Sequence, residues 1–219
     1  MITLCKTCGT AYDTQPEKCP ICEDERQYVP STGQAWTDLD TVTATHSNKW
    51  QQLEPRLFGI KTVPAFAINQ RALLLQTPHG NILWDCIANL DPATKTLITA
   101  LGGISAIAIS HPHYYTTMQE WAAAFDAPVY LHASDSEWVM RDSPAIHFWE
   151  GDALEIFPSV TLLRLGGHFA GERCCTGRRG TGCCWRAIFC RSRRVKTPSR
   201  LCGATRTIFR CRPAPWRRS

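Results

Sequence analysis

Between Arg71 and Ala170, short all-apolar runs alternate with longer stretches whose apolar residues recur every three or four positions. "RALLLQTPHGNILWDC" sets two apolar runs around Pro78-His79-Gly80-Asn81 and predicts a β-hairpin ending at Asp85. "DPATKTLITALGG" predicts a helix, with Asp91 as N-cap, Pro92 in the first turn and Gly102 as terminator. "ISAIAIS" is nearly all apolar, as in a strand buried on both faces, and it runs directly into His111. "TMQEWAAAFDA" has helical spacing, "PVYLHA" reads as another short buried strand, and "SDSEWVM" as a capped helical turn. "DALEIFPSVTLLRLGGH" completes the series with two strands and a glycine turn. Strands alternating with helices predict a layered α/β domain. Residues 23–50 read as a polar connection whose Trp36 and Trp50 dock on that domain.

Composition then divides the chain. The net charge of +5 over 219 residues hides a split: residues 172–219 carry 13 Arg and one Lys against Glu172 alone, a balance of +13. Residues 1–171 keep 10 basic and 18 acidic side chains, a balance of −8. No apolar run approaches the roughly 20 residues of a membrane span, and the chain opens with neither a charged nor an apolar leader segment. These features predict a cytoplasmic protein that makes no membrane contact, in which paired cysteines point to metal before disulfide.

Cys5-Lys-Thr-Cys8 and Cys19-Pro-Ile-Cys22 are two CxxC pairs ten residues apart, with Gly9 and Pro20 beside them as turn formers. Each pair can aim two thiolates at one ion. A segment of 1–35 buries too little to offset its chain entropy, so a structural zinc would supply the folding energy, and iron suits the same four thiolates. A redox dithiol is the competing reading of the same residues.

His111-Pro112-His113 lies where a buried strand gives way to a loop, and His168 follows Gly166-Gly167 in an equivalent place. Three neutral imidazoles with an open fourth position can form a catalytic zinc shell; the competing reading is that His111 and His113 only satisfy loop carbonyls. The order of hairpin ending in Asp85, strand, His-x-His, helix, strands and Gly-Gly-His resembles the metallo-β-lactamase superfamily over about Leu53 to Ala170. The resemblance implies the first half of an αββα sandwich, preceded by a small zinc-ribbon or rubredoxin-like knuckle. It implies metal ligation by His111, His113 and His168, with Asp85 fixing a ligand imidazole.

The usual His-x-His-x-Asp-His loop of that superfamily departs here to His111-Pro112-His113-Tyr114-Tyr115-Thr116, so a second metal site is not built. The implied chemistry is that of a mononuclear hydrolase acting on an ester, thioester or related bond of a small-molecule substrate, with Tyr115 donating a hydrogen bond to developing charge. Two alternatives stand beside it. One is a non-enzymatic zinc-ribbon binding module with a degenerate second domain; the other is a redox protein using the knuckle.

After Ala170 the pattern ends. "ERCCTGRRGTGCCWRAIFCRSRRVK" has neither helical nor strand periodicity, and seven cysteines follow residue 172 in spacings that match no metal motif. Joining the third base of each codon to the first two of the next lets Gly182 to Cys190 be re-read as Met-Leu-Leu-Ala-Gly-Asp-Ile-Leu. Leu is forced at Cys183-Cys184, Cys184-Trp185 and Phe189-Cys190. An apolar strand followed by Gly-Asp is what the superfamily has at this point.

The expected organisation is therefore a knuckle over 1–35, a sandwich half over 36–171, and an out-of-frame, disordered basic tail over 172–219. Such a tail binds polyanions through counterion release without specific recognition of nucleic acid. A sandwich lacking its second half is expected to expose the apolar inner face of its first sheet.

Overall fold

The computed structural model describes residues 2–25, 27, 29–167, 169–178 and 184–187. Thr3–Cys5 (β1) and Ala11–Tyr12 (β2) form a small hairpin, followed by one helical turn at Pro20–Glu23 (α1). Trp36–Asp38 (β3) pairs antiparallel with β1, so the sheet of the knuckle runs past residue 35. The expected polar connection over 23–50 contains this strand, the helix Leu39–Thr45 (α2) and the first residues of the strand Ser47–Glu54 (β4). α2 begins where Asp38 Oδ1 accepts the Thr41 N–H at 2.7 Å. β4 escapes an apolar-run search because it is an edge strand whose exposed and half-buried residues alternate.

The central sheet has seven strands in the order β10-β9-β8-β7-β6-β5-β4. Beyond β4 these are Leu57–Val63 (β5), Ala72–Thr77 (β6), Gly80–Trp84 (β7), Ala106–Ala108 (β8), Val129–His132 (β9) and Ile146–Trp149 (β10). β4 to β7 form an antiparallel meander, and the predicted hairpin is β6–β7 with Leu74 opposite Leu83. β7, β8, β9 and β10 run parallel. Parallel neighbours need a crossover, which Pro92–Ala100 (α3) and Met118–Phe125 (α4) supply around β8. β8 is consequently covered on both faces, which is why its sequence shows no alternation. β10 has no counterpart in the pattern reading: His147 and Phe148 in its centre are exposed.

Period-two alternation divides this sheet between two cores. Leu74, Leu83, Ile107 and Ile109 face α3 and α4, where they pack with Ile98, Met118, Trp121 and Ala122. Ile82, Trp84, Ala106 and Ala108 face the other way, against Val160, Leu162, Cys175 and Trp149. Truncating a fully buried Leu such as Leu83 costs about 2–5 kcal/mol.

The second layer is the antiparallel sheet β11-β12-β13-β14, made of Ala153–Phe157, Val160–Arg164, Arg173–Arg178 and Cys184–Ala187. The inner face of the first sheet is thus covered along these residues: Ile82 and Ala108 are 0% exposed. β13 also carries regular structure past residue 171, since Leu162 pairs with Cys175 and Leu163 with Cys174. The rest of the segment expected to be a disordered tail, 179–183 and 188–219, lies outside the described residues.

"SDSEWVM" folds as 3-10 turns over Ala133–Trp138, with a kink at Asp135, and its cap is the ring of His132, which accepts the Ser134 N–H at 3.1 Å. Among the described residues, no helix is long and apolar enough to cross a membrane.

Candidate metal centres and the loop between them

The knuckle brings all four cysteine sulfurs within 4.8 Å of one another. Cys5 Sγ lies 3.6 Å from Cys22 Sγ, and Cys8 Sγ 3.6 Å from Cys19 Sγ. A tetrahedron with metal–sulfur bonds of about 2.3 Å has sulfur–sulfur edges of about 3.8 Å, so the donor set fits a tetrahedral ion. Cys5, Cys8 and Cys19 are fully buried. Without a cation this proximity splits their acidities: contact with Cys19 holds the Cys5 thiol low and pushes those of Cys8 and Cys22 up. A cation removes that conflict by drawing all four to thiolates.

Two hydroxyls lie against the sulfurs, Thr10 Oγ1 at 3.1 Å from Cys8 and Tyr12 Oη at 3.0 Å from Cys19. Burial pushes the Tyr12 phenol up, so it keeps its proton and can donate to the sulfur. Cys19 N–H donates to Gln34 Oε1 at 2.7 Å, which pins the second ligand turn.

The second centre is assembled at one end of the parallel strands. β7 is followed by Asp85, which takes a left-handed φ of 63° and donates its N–H to the Ala108 carbonyl at 2.9 Å. The Asp85 carboxylate is 1% exposed, and its Oδ1 accepts the Ser110 N–H at 2.7 Å. Burial pushes its pKa up to about 7, against the Ser110 hydrogen bonds and the Arg173 charge. Its Oδ2 has no hydrogen-bond partner among the described residues.

β8 leads through Ile109 and Ser110 to His111, and Pro112–Tyr114 form a 3-10 turn that brings the second imidazole round beside the first. The two rings meet edge to face with centroids 5.4 Å apart. Ser110 Oγ engages His111 Nδ1 at 2.9 Å, which leaves Nε2 as the ring nitrogen for another partner. Asp85, His111 and His113 thus lie together beyond the ends of β7 and β8.

His168 lies outside the described residues. Leu165 and Gly166 N–H both donate to the Glu172 carbonyl, at 2.8 and 3.0 Å. From this turn Phe169 stacks on His111 at 5.8 Å and meets His113 edge-on at 5.1 Å. The β12–β13 turn is thereby seated against the two histidines.

Tyr115 is 2% exposed, and its hydroxyl lies 3.5 Å from both the Asp135 carbonyl and an Arg173 guanidinium nitrogen. Asp135 and Arg173 form a fully buried ion pair at 3.2 Å, and Arg173 Nε also donates to the Ser110 carbonyl at 3.3 Å. Asp135 Oδ1 accepts the Gly171 N–H at 2.7 Å. A Cβ at Gly171 would lie 2.7 Å from that carboxylate, so only glycine permits the approach. Pattern reading missed Asp135, Arg173 and Gln70. Their signal is burial of a polar group, which becomes visible only once the chain is folded.

The knuckle docks on the histidine loop. Gln70 Nε2 donates to the Cys8 carbonyl at 2.6 Å and to the His113 carbonyl at 3.0 Å. Ala11 N–H donates to the Thr116 carbonyl at 3.1 Å. Trp138 packs against the cysteine cluster and also meets Phe169 at 5.5 Å.

No protein-family model matches the chain. Solved structures that superpose on it are metallo-β-lactamases. One from Cronobacter sakazakii is 22% identical, with 62% of each chain covered and a TM-score of 0.46. The native FEZ-1 enzyme from Legionella gormanii is 19% identical, with 67% of this chain and 64% of that one covered and a TM-score of 0.46. The chain spans about 60% of the length of these structures. A sequence relative, the uncharacterized protein YmaE of Bacillus subtilis (strain 168), is 48% identical over 188 residues, which cover 82% of this chain and 69% of that protein. With nearly half its residues shared over more than two thirds of the relative, this chain belongs to the family of YmaE.

Proposed function

We propose that the chain is a metal-dependent hydrolase of the metallo-β-lactamase type, in which His111, His113 and His168 hold a catalytic metal and the four cysteines a structural one. The observation that carries this reading is the buried convergence of Asp85, His111 and His113 at the end of β7 and β8, with one carboxylate oxygen unsatisfied among the described residues. A buried carboxylate of this kind is costly unless it serves a cation or a donor. When bound, a divalent metal supplies Lewis-acid activation of water for attack on an ester, thioester or similar bond of a small-molecule substrate.

The chain's own residues set up that chemistry. Asp85 anchors the start of the histidine loop through Ser110 N–H, and Ser110 Oγ selects the nitrogen that His111 presents. Phe169 packs on the rings of both His111 and His113, which excludes water from that side. Tyr115 lies in the position of the aspartate that would hold a second metal, and its hydroxyl faces Asp135 and Arg173. A single metal per histidine site follows.

On this reading the residues after 171, Arg173 and its ion pair with Asp135 included, are the product of a one-base slip near Gly171 or Glu172 and impair the activity. The codon compatibility of Gly182 to Cys190 and the change to a +13 balance support that reading. Nucleotide sequence across codons 165 to 195 of an independent isolate, with the intact mass of the native product, tests it. An unbroken frame and a mass for 219 residues would favour a binding module over an enzyme.

The catalytic reading is tested by the double substitution His111→Ala, His113→Ala. The expected result is loss of one of two bound metals per chain, and a drop of at least about 10- to 100-fold against a panel of esters and thioesters in the frame-restored protein. Metal content and activity both intact in the double variant would place the site elsewhere. Visible absorption of the purified protein separates iron at the cysteines from zinc, which is colourless.

A further inference from the structure

The two candidate centres share one side chain. Gln70 lies between β5 and β6, is 5% exposed, and spends both amide N–H groups on main-chain carbonyls of opposite partners. Because Cys8 and His113 both present carbonyl oxygens, only the amide nitrogen can serve them, and the orientation of Gln70 is settled. The acceptor on one side belongs to a cysteine of the cluster; the acceptor on the other belongs to the second histidine of the loop.

One further hydrogen bond joins the same pair of segments, the Ala11 N–H on the Thr116 carbonyl, and a Cβ at Gly9 would lie 3.5 Å from the Thr116 methyl group. Gly9 takes a φ of 80° and donates its N–H to the Cys5 carbonyl at 2.7 Å, so its place follows from the ligand turn itself.

We infer that Gln70 is a positioning residue that couples metal occupancy of the four-cysteine cluster to the order of the His111–Thr116 loop. With an ion on the four sulfurs, the Cys5–Cys8 turn is rigid and the Cys8 carbonyl holds one N–H of Gln70, leaving the other aimed at His113. Without the ion, the knuckle has only its small cysteine-lined core, the turn loosens, and the link to His113 and the Thr116 contact are released together. The inference rests on reading the cysteine cluster as a metal site and is independent of whether the histidines perform hydrolysis.

The experiment uses the full chain loaded with cobalt(II), whose thiolate absorption reports occupancy of the cysteines, and hydrogen exchange of the backbone amides. Exchange is followed at 111–118 and, as a control, at the β7 residues 80–84. In the unsubstituted chain, stripping the cysteine metal with a thiol-directed mercurial is expected to raise exchange at 111–118 about tenfold and leave 80–84 unchanged. In Gln70→Ala, and in Gln70→Glu, which keeps the volume but offers carboxylate oxygens to two carbonyls, exchange at 111–118 is expected to be raised already with cobalt bound. Stripping should then add less than about twofold, and the cobalt–thiolate absorption should persist in both variants before stripping.

A loop that does not respond to stripping in the unsubstituted chain overturns the coupling. So does a Gln70 variant whose loop responds as fully as the original. Absence of bound cobalt–thiolate in the unsubstituted chain would overturn the metal reading of the knuckle together with this inference. Bound metal with an unresponsive loop would overturn this inference alone.

Discussion

The cysteine knuckle and the histidine loop are candidate metal centres built by opposite routes. In the knuckle, four donors come from 18 consecutive residues, and two tight turns suffice to bring their sulfurs within 4.8 Å. In the histidine loop, His111 and His113 follow β8, and their supports come from Asp85 after β7 and Phe169 after β12. They meet because parallel pairing of β7 with β8 aligns their ends and the second sheet packs against the first. The first site can be read off spacing, since little chain separates its ligands; the second depends on the whole sandwich being in register. The difference also bears on the energetics: on the proposed reading the knuckle needs its ion in order to fold, whereas the histidine loop draws on buried neutral and charged side chains, Gln70 among them.

The largest effect that would break this comparison is expected at the cysteines. Cys5→Ser with Cys22→Ser should abolish metal binding at the knuckle, removing an interaction worth about 10 kcal/mol or more in comparable sites. Elemental analysis should show one metal fewer per chain, and limited proteolysis should cut within residues 1–35 while the sheet core stays intact. A knuckle that resists proteolysis without metal would place it among the sites held by packing.

The second test concerns Asp85. Its folded pKa of about 7 lies above that of an exposed aspartate, so the folded chain binds the proton more tightly than the unfolded chain. Stability is then fully present below the unfolded pKa and is lost as pH rises through about 7, by up to about 4 kcal/mol. Asp85→Asn retains the acceptor for Ser110 N–H and cannot ionise. Denaturant midpoints taken without added divalent metal should fall between about pH 4 and 7 in the original chain and stay flat in the variant. Parallel curves would show that Asp85 is ionised in the fold and held by the Arg173 and Arg71 charges.

The smallest effect is a control on local structure at a residue that is a ligand candidate in neither centre. Asp91 caps α3 by accepting the Thr94 N–H at 2.6 Å and also accepts the Asn48 N–H at 2.7 Å. Asp91→Ala should cost about 1–2 kcal/mol by chemical denaturation, with metal content unchanged. Loss of metal in that variant would mean that the histidine edge is coupled to α3 as well as to the knuckle.

Much of the fold was legible because it rests on repeating local rules. The β6–β7 hairpin, the cap and first proline of α3, and the apolar run of β8 each carry their signal within a few residues. β4, β3 and β10 were not legible. An edge strand, a strand that serves a neighbouring sheet and a strand with an exposed centre all lack an apolar period of their own. β13 was hidden by composition, because cysteines and arginines follow no strand pattern until Cys175 is seen packed beneath Val160 and Leu162.

At the site the same division holds. Spacing alone singled out Cys5, Cys8, Cys19 and Cys22, since turn geometry ties residues three positions apart to one point, whereas His111 and His113 needed the superfamily resemblance beside their spacing. Which side chains support them was decided only by tertiary structure. Gln70 meets Cys8 across 62 positions and His113 across 43, and Arg173 reaches Asp135 across 38. Partners so far apart leave no period in the chain. A buried amide or carboxylate chooses among all the polar groups that folding brings near it, and that choice exists only once both sheets have closed on their cores.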